Sequence, residues 1–214
     1  MVFRDRSDAG NLLARKLSSY RGTQSIVFGL PRGGIVVAAR IAIFLQLPLD
    51  VLVVKKIGAP DNSELAIGAV APDGVSYVDE PFAKLVGADE GYIRTQNAEL
   101  NDQIRRKIFL YQKGERKRSV KGKTAIVVDD GAATGATVQA AVVWLKKKKA
   151  AKIIVALPVA PIELVEKMKG TVNELVVLDT PKDFSAVGQF YKQFQQVTDD
   201  EVIELLRDNK MRRP

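Results

Sequence analysis

This chain contains neither cysteine nor histidine in its 214 residues. Without thiols there are no disulfides and no thiolate chemistry. Without imidazole there is no histidine general base, no Ser-His-Asp triad and no His-based zinc site. Long apolar runs are missing too. None approaches the roughly 20 residues that cross a bilayer, so no membrane partner is expected. The opening residues, Met1-Val2-Phe3-Arg4-Asp5-Arg6, are charged and lack the apolar stretch of a secretory signal, so a cytoplasmic protein is expected.

Cations, by contrast, are plentiful. Lys and Arg number 33 against 25 Asp and Glu, a net charge of +8. Such a balance invites nucleic acid as a partner. The charge gathers over residues 105–123, with Arg105-Arg106-Lys107 and Arg116-Lys117-Arg118, and in the run Lys146-Lys147-Lys148-Lys149 with Lys152. The second cluster reads better as a solvated helix end, where cations complement the helix dipole. Nucleic acid is therefore a partner to keep in view but not the favoured one.

The hydrophobic content of 46% leaves material for one core, and the length suits one α/β domain. Near-continuous β-branched runs at 25–29, 50–54, 124–128, 152–157 and 174–178 read as strands buried on both faces of a parallel sheet. Between them, residues 35–45, 135–148 and 161–169 have helical spacing, the last opening on Pro161. The alternation predicts a doubly wound, mainly parallel α/β sheet flanked by helices. Two regions depart from it. Residues 64–78 read as a hairpin about Pro72-Asp73-Gly74, and 89–111 as a long polar helix with an apolar stripe. The basic, Gly-containing stretch 112–123 reads as a mobile loop.

Chemistry concentrates at the end of the strand over 124–128. There Asp129 and Asp130 are followed by Gly131, Ala132, Ala133, Thr134, Gly135, Ala136 and Thr137, which open a helix. In open α/β sheets the carboxyl edge is where ligands bind. Two adjacent acids repel unless a cation or hydroxyl donors compensate. The small residues let a ligand approach the backbone, and the helix start offers N–H groups and a favourable dipole to a phosphate. A plainer alternative is a helix capped by Thr134 or Thr137 beside solvated acids. The run lacks the Gly-Lys-Ser/Thr ending of a P-loop and the spacing of a dinucleotide fingerprint. A second loop, Gly29-Leu30-Pro31-Arg32-Gly33-Gly34, also follows a buried strand and opens a helix. Its glycines allow close backbone approach, and Arg32 adds a planar fork of donors suited to pyrophosphate.

Together these segments resemble the signature of type I phosphoribosyltransferases, which hold phosphoribosyl pyrophosphate (PRPP). The likeness covers about residues 25–178, and the stretches 58–68 and 186–191 resemble an uncharacterised subgroup. It implies a single domain with its core over 25–178, a flexible hairpin and loop, and a small hood from residues 1–24 and 179–214. It implies transfer of the phosphoribosyl group to a nitrogenous base or other amine, dependent on Mg²⁺. Asp129 and Asp130 would hold the ribose hydroxyls and, through water, the metal. Thr134, Gly135, Ala136 and Thr137 would anchor the 5′-phosphate, with Gly131, Ala132 and Ala133 lining the donor site. Pro31, Gly33, Gly34 and Lys55 would join the donor site, with Arg32, Lys56 and Asp130 as the catalytic groups. The resemblance also implies a strained Pro31–Arg32 peptide bond, and a homodimer is common among such enzymes. The residue before the Thr-Gly pair, an acid in the 6-oxopurine enzymes, is Ala133 here, which argues against hypoxanthine or guanine. Glu64 would be either a replacement acid or a solvated loop residue. Phe184, Phe190, Tyr191 and Phe194 would either stack on a base or form the hood's own core, the latter being favoured. A non-catalytic PRPP sensor acting on nucleic acid is the alternative.

Overall fold

Strands β1 (Ser25–Gly29) and β6 (Thr124–Val128) lie side by side in parallel at the centre of the computed structural model, which describes residues 1–112 and 118–211. They are flanked by β2 (Leu49–Val51) on one side, and by β7 (Lys152–Val159) and β8 (Glu174–Asp179) on the other, in the order β2-β1-β6-β7-β8. Every pairing in this sheet is parallel. The continuous apolar runs have a plain cause. Alternate residues Val27, Ile126, Val128, Ile154 and Ala156 face a core completed by helices α1 (Arg6–Lys16), α2 (Gly33–Leu45) and α7 (Asp199–Met211). Their neighbours Ile26, Phe28, Ala125, Val127, Ile153 and Val155 face a second core under α5 (Ala136–Lys147) and α6 (Ile162–Met168). A strand with a core on each side has no polar face to alternate with.

Ile126 sits on the central strand with no exposed surface. Ile126→Ala is expected to cost about 2–5 kcal/mol, because the packed neighbours collapse only partly into the space. A urea titration checks it: the midpoint falls and the slope stays constant.

The run expected as one strand over 50–54 is a strand only as far as Val51 and then links two sheets. Pairing with β1 ends at Val51, after which the Leu52 N–H reaches the Gly29 carbonyl at 3.1 Å. The chain then enters an antiparallel sheet of β3 (Lys55–Ala59), β4 (Asn62–Val70) and β5 (Ser76–Val78). Lys55 and Lys56 therefore begin a strand rather than close one. Side-chain burial continues without a break, Leu52 in one core and Val53 in the other, so hydropathy gave no sign of the switch.

The β4–β5 hairpin forms as expected, but its turn is tied down. Trp144 Nε1 donates to Asp73 Oδ2 at 3.2 Å, and the Gly74 N–H donates to Asn101 Oδ1 at 3.0 Å. The exposed end of this sheet is the opposite turn, around residues 60–64, and Glu64 stands there in solvent. Helix α3 (Glu80–Leu85) leads into α4 (Glu90–Gln112), the expected long polar helix, capped by Asp89 through the Tyr92 N–H at 2.7 Å. Of the expected loop over 112–123, residues 113–117 lie outside the described residues. Its far end is anchored, with Val120 buried and the Gly122 N–H on the Lys149 carbonyl at 2.9 Å. No described helix is long and apolar enough to cross a membrane.

Candidate active site at the carboxyl edge of the sheet

Gly29 at the end of β1 pairs in register with Val128 at the end of β6, and the Leu30 N–H extends the ladder onto the Val128 carbonyl at 2.8 Å. Two neighbouring parallel strands thus release their loops at one point. Pro31, Arg32, Gly33 and Gly34 run beside Asp129 and Asp130. The fit is so close that it admits no side chain at either glycine. A Cβ on Gly33 would stand 1.9 Å from Asp130 Oδ2, and one on Gly34 would stand 2.8 Å from Asp129 Oδ1. The Pro31–Arg32 peptide bond, singled out by the family resemblance, is cis.

The acids differ in surroundings. Asp129 Oδ1 accepts the Asp130 N–H at 2.9 Å. Burial, and then repulsion from Asp130, push the Asp129 carboxyl well above the usual carboxylate range, against the opposing pull of the Lys56 charge. Asp130 has a direct counter-ion that the sequence did not reveal. Arg6 Nε lies 2.6 Å from Asp130 Oδ2, with side chains only 11% and 16% exposed. Arg6 also donates through Nη1 to the Gln195 carbonyl at 2.7 Å and lies 3.8 Å over the Phe194 ring. Tyr191 donates its hydroxyl to the Asp130 backbone carbonyl at 2.6 Å. Burial first, and the nearby Asp130 charge second, raise the Tyr191 phenol above its ordinary range, so it remains a donor at neutral pH.

The loop after the acids is pinned at both ends and open in the middle. The Ala132 N–H reaches the Val159 carbonyl at 3.1 Å. Gly135 caps α5 at φ 72°, where a Cβ would also strike Leu164 Cδ1 at 2.3 Å, so this position accepts only glycine. Ala133 and Thr134 are exposed between them. Neither threonine caps α5 firmly. Thr134 Oγ1 lies 3.5 Å from the Ala136 N–H, and α5 has no side-chain cap at Gly135. The N–H groups of the first turn, Ala136 and Thr137 among them, have no intrahelical acceptors and are available to an anion.

The basic pair divides. Lys55 Nζ donates to Gln103 Oε1 of α4 at 2.7 Å, whereas Lys56 is exposed and its charge is felt at Asp129. Arg32, exposed at the start of α2, acts on Tyr111 and Asp199, favouring the ionised form of each. Asp199 accepts from Lys107 and, at 2.7 Å, from the Tyr111 hydroxyl, and these bonds hold it below the usual carboxylate range. The start of α7 is fastened by these contacts to the end of α4, beside the Arg32 loop.

The aromatic residues of the C-terminal segment pack on one another. Phe184 and Phe190 rings lie 5.2 Å apart, and Tyr191 stacks on Phe194 at 5.0 Å. Phe3 joins them at 5.4 Å from Tyr191, and Phe190, Tyr191 and Phe3 are buried with Val159. Phe194 packs against Tyr191 and the Arg6 guanidinium while part of its surface stays exposed. Among the described residues, no three ligating side chains converge as a metal cage. Two hard carboxylates fit a Mg²⁺ ion only if ligand oxygens and water complete its shell.

A family model described as the phosphoribosyl transferase domain matches residues 6–195. Two curated Mycobacterium tuberculosis sequences, both provisionally named as phosphoribosyl transferases, are 40% identical over 205 residues, covering 96% of this chain and 46% of theirs. The chain thus spans about half the length of the curated relatives it matches. A crystal structure of TT1426 from Thermus thermophilus is 41% identical, with a TM-score of 0.82, covering 97% of this chain and 99% of that one. A Neisseria gonorrhoeae protein shares 14% identity and a TM-score of 0.50 across 97% of this chain and 96% of its own, a likeness of fold alone.

Proposed function

This chain belongs to the phosphoribosyl transferase family, and from that premise we propose that it moves the 5-phosphoribosyl group from PRPP to a nitrogenous base or other amine, releasing pyrophosphate. One observation carries the reading: the Pro31 to Gly34 loop closes on Asp129 and Asp130 without space for a methyl group, beside a helix start with open N–H donors. That juxtaposition suits a ligand bearing a diphosphate, sugar hydroxyls and a terminal phosphate within one molecule.

On this reading the first-turn N–H groups of α5, with Thr134 and Thr137, hold the 5′-phosphate. Asp129 and Asp130 accept hydrogen bonds from the ribose hydroxyls. The backbone of Gly33 and Gly34, with Arg32 and Lys56, surrounds the departing pyrophosphate. The C1–oxygen bond of the ribose breaks, the electron pair leaves with the pyrophosphate, and the acceptor nitrogen forms the new bond through an oxocarbenium-like state. Catalysis is then chiefly positional and electrostatic. A bound Mg²⁺ would supply charge neutralisation of the diphosphate, held through water by the two acids. Ala133 leaves no acid for a 6-oxopurine ring, so the acceptor is sought outside hypoxanthine and guanine.

The test is a panel of nitrogenous bases and simple amines with PRPP and Mg²⁺, followed by pyrophosphate release. Acceptor-dependent release is expected, and it should vanish with EDTA. The net charge of +8 supports a second reading, a PRPP sensor acting on nucleic acid. PRPP-dependent binding to RNA or DNA, with no acceptor promoting release, would replace the transferase reading by that one.

A further inference from the structure

Arg6 is separated from Asp130 by 124 positions, yet its Nε sits 2.6 Å from the carboxylate oxygen that faces the Gly33 backbone. The guanidinium makes three contacts. It is bonded to Asp130, bonded to the Gln195 carbonyl and laid over Phe194. Its charge also acts on Glu201, at the start of α7. Meanwhile Tyr191, stacked on the same Phe194, holds the Asp130 backbone. Two acids side by side would otherwise present a divalent cation with concentrated negative charge. A guanidinium at hydrogen-bond distance takes up one lone pair of Asp130 Oδ2 and offsets the charge that such an ion would seek.

We infer that Arg6 is the resident counter-ion of the acid pair, a positioning residue that aims Asp130 and keeps a lone divalent cation from binding there. A cation then enters only with a ligand whose own oxygens help to coordinate it. The inference rests on the donor-site reading above, in which Asp129 and Asp130 face the sugar. It goes beyond that reading by giving the N-terminal segment a defined part in the site. It also ties residues 191–195 to the same carboxylate, because one side chain holds both.

Mn²⁺ alone is the probe, measured from the free-ion electron paramagnetic resonance signal at pH 8 for wild type, Arg6→Gln and Arg6→Lys. Wild type should bind weakly. Arg6→Gln should bind at least about tenfold more tightly, since an adjacent opposite charge shifts such equilibria by one to three powers of ten. Arg6→Lys, which keeps the charge, should behave as wild type. A purely structural role would not make a variant bind an ion better than the parent does. Mn²⁺ affinities within twofold for wild type and Arg6→Gln would overturn the inference, and so would equal gains in both variants. Should Arg6→Gln fail to fold, the Arg6 Nε–H resonance of the wild-type protein takes its place. That signal should shift when PRPP and Mg²⁺ are added together and not with Mg²⁺ alone, and a shift with Mg²⁺ alone would overturn the inference. Failure of the wild-type protein to bind PRPP would count against the donor-site reading, whereas the Mn²⁺ comparison judges Arg6 without PRPP.

Discussion

Gly33→Ala is expected to reduce kcat/KM by at least about 100-fold while leaving the protein folded, the scale on which misplacement of a reacting group by about 1 Å is felt. The added methyl group would stand 1.9 Å from Asp130 Oδ2 and 2.7 Å from Arg6 Nε. One of them must move, and either movement separates the ion pair or turns the carboxylate away from the ligand. The backbone itself has no objection to alanine. Gly33 opens α2 in helical conformation, where alanine is worth up to about 1 kcal/mol over glycine. Loss of activity in a protein that stays folded, with its thermal midpoint lowered no further than in Asp130→Asn, would locate the effect at the acid pair. Gly91→Ala serves as the control, since its Cβ would meet nothing closer than Asp89 Oδ1 at 3.3 Å, and it should leave turnover unchanged. Full activity in Gly33→Ala would remove the close contact between the two loops from any account of the site.

The double change Asp129→Asn with Asp130→Asn should weaken PRPP binding by roughly 10²–10⁴-fold, the worth of two charge-assisted hydrogen bonds at about 1.5–3 kcal/mol each. Titration calorimetry with PRPP and Mg²⁺ measures it, and undiminished binding would refute the site. The single changes should differ in stability. Asp130→Asn leaves the Arg6 guanidinium without its anion and is expected to destabilise the fold. Asp129→Asn removes a carboxylate disfavoured by burial and by its neighbour, while the Asn oxygen can still accept the Asp130 N–H. The sign follows from the raised pKa. The folded state binds the Asp129 proton more tightly than the unfolded chain does, so this group favours folding at low pH and loses that contribution as pH rises. Asp129→Asn should therefore melt above wild type at pH 7–8, and the gap should close as pH falls into the usual aspartate range. Lost binding with gained stability is what a group kept for ligand recognition, at a cost to the fold, would show.

Much of the proposed donor site could be read from local order alone. A buried strand must end at a sheet edge, so Asp129, Asp130 and the loop to Thr137 were bound to lie together there, and the same reasoning applied to Gly29 through Gly34. Parallel pairing of those two strands was a further step, but the chirality of βαβ crossovers and the carboxyl-edge rule leave few other arrangements. Hydropathy misled at residues 50–54, because side chains can stay buried while backbone pairing passes from one sheet to another. It was also silent on which end of the antiparallel sheet is tethered. Asp73 looked like an ordinary turn residue, and it is tertiary contacts such as its bond to Trp144, 71 positions away, that show the turn to be fixed.

Arg6, Tyr191 and Asp199 were beyond the reach of pattern. Periodicity and spacing describe neighbours within a few turns of chain, whereas the partners here are 124, 61 and 88 to 92 residues apart. An arginine in a charged opening segment is indistinguishable from a solvated one until packing brings it against a carboxylate. The sequence by itself determined the two-faced parallel sheet, the edge at which its two Gly-rich loops emerge and the acids that stand there, because these depend on burial and local backbone chemistry. The tertiary structure alone decided which cation neutralises Asp130, where Lys55 and Lys56 part company, and how Arg6 and residues 191–199 come to lie beside the acids. Those outcomes depend on the distances between segments that the chain brings together only when it folds.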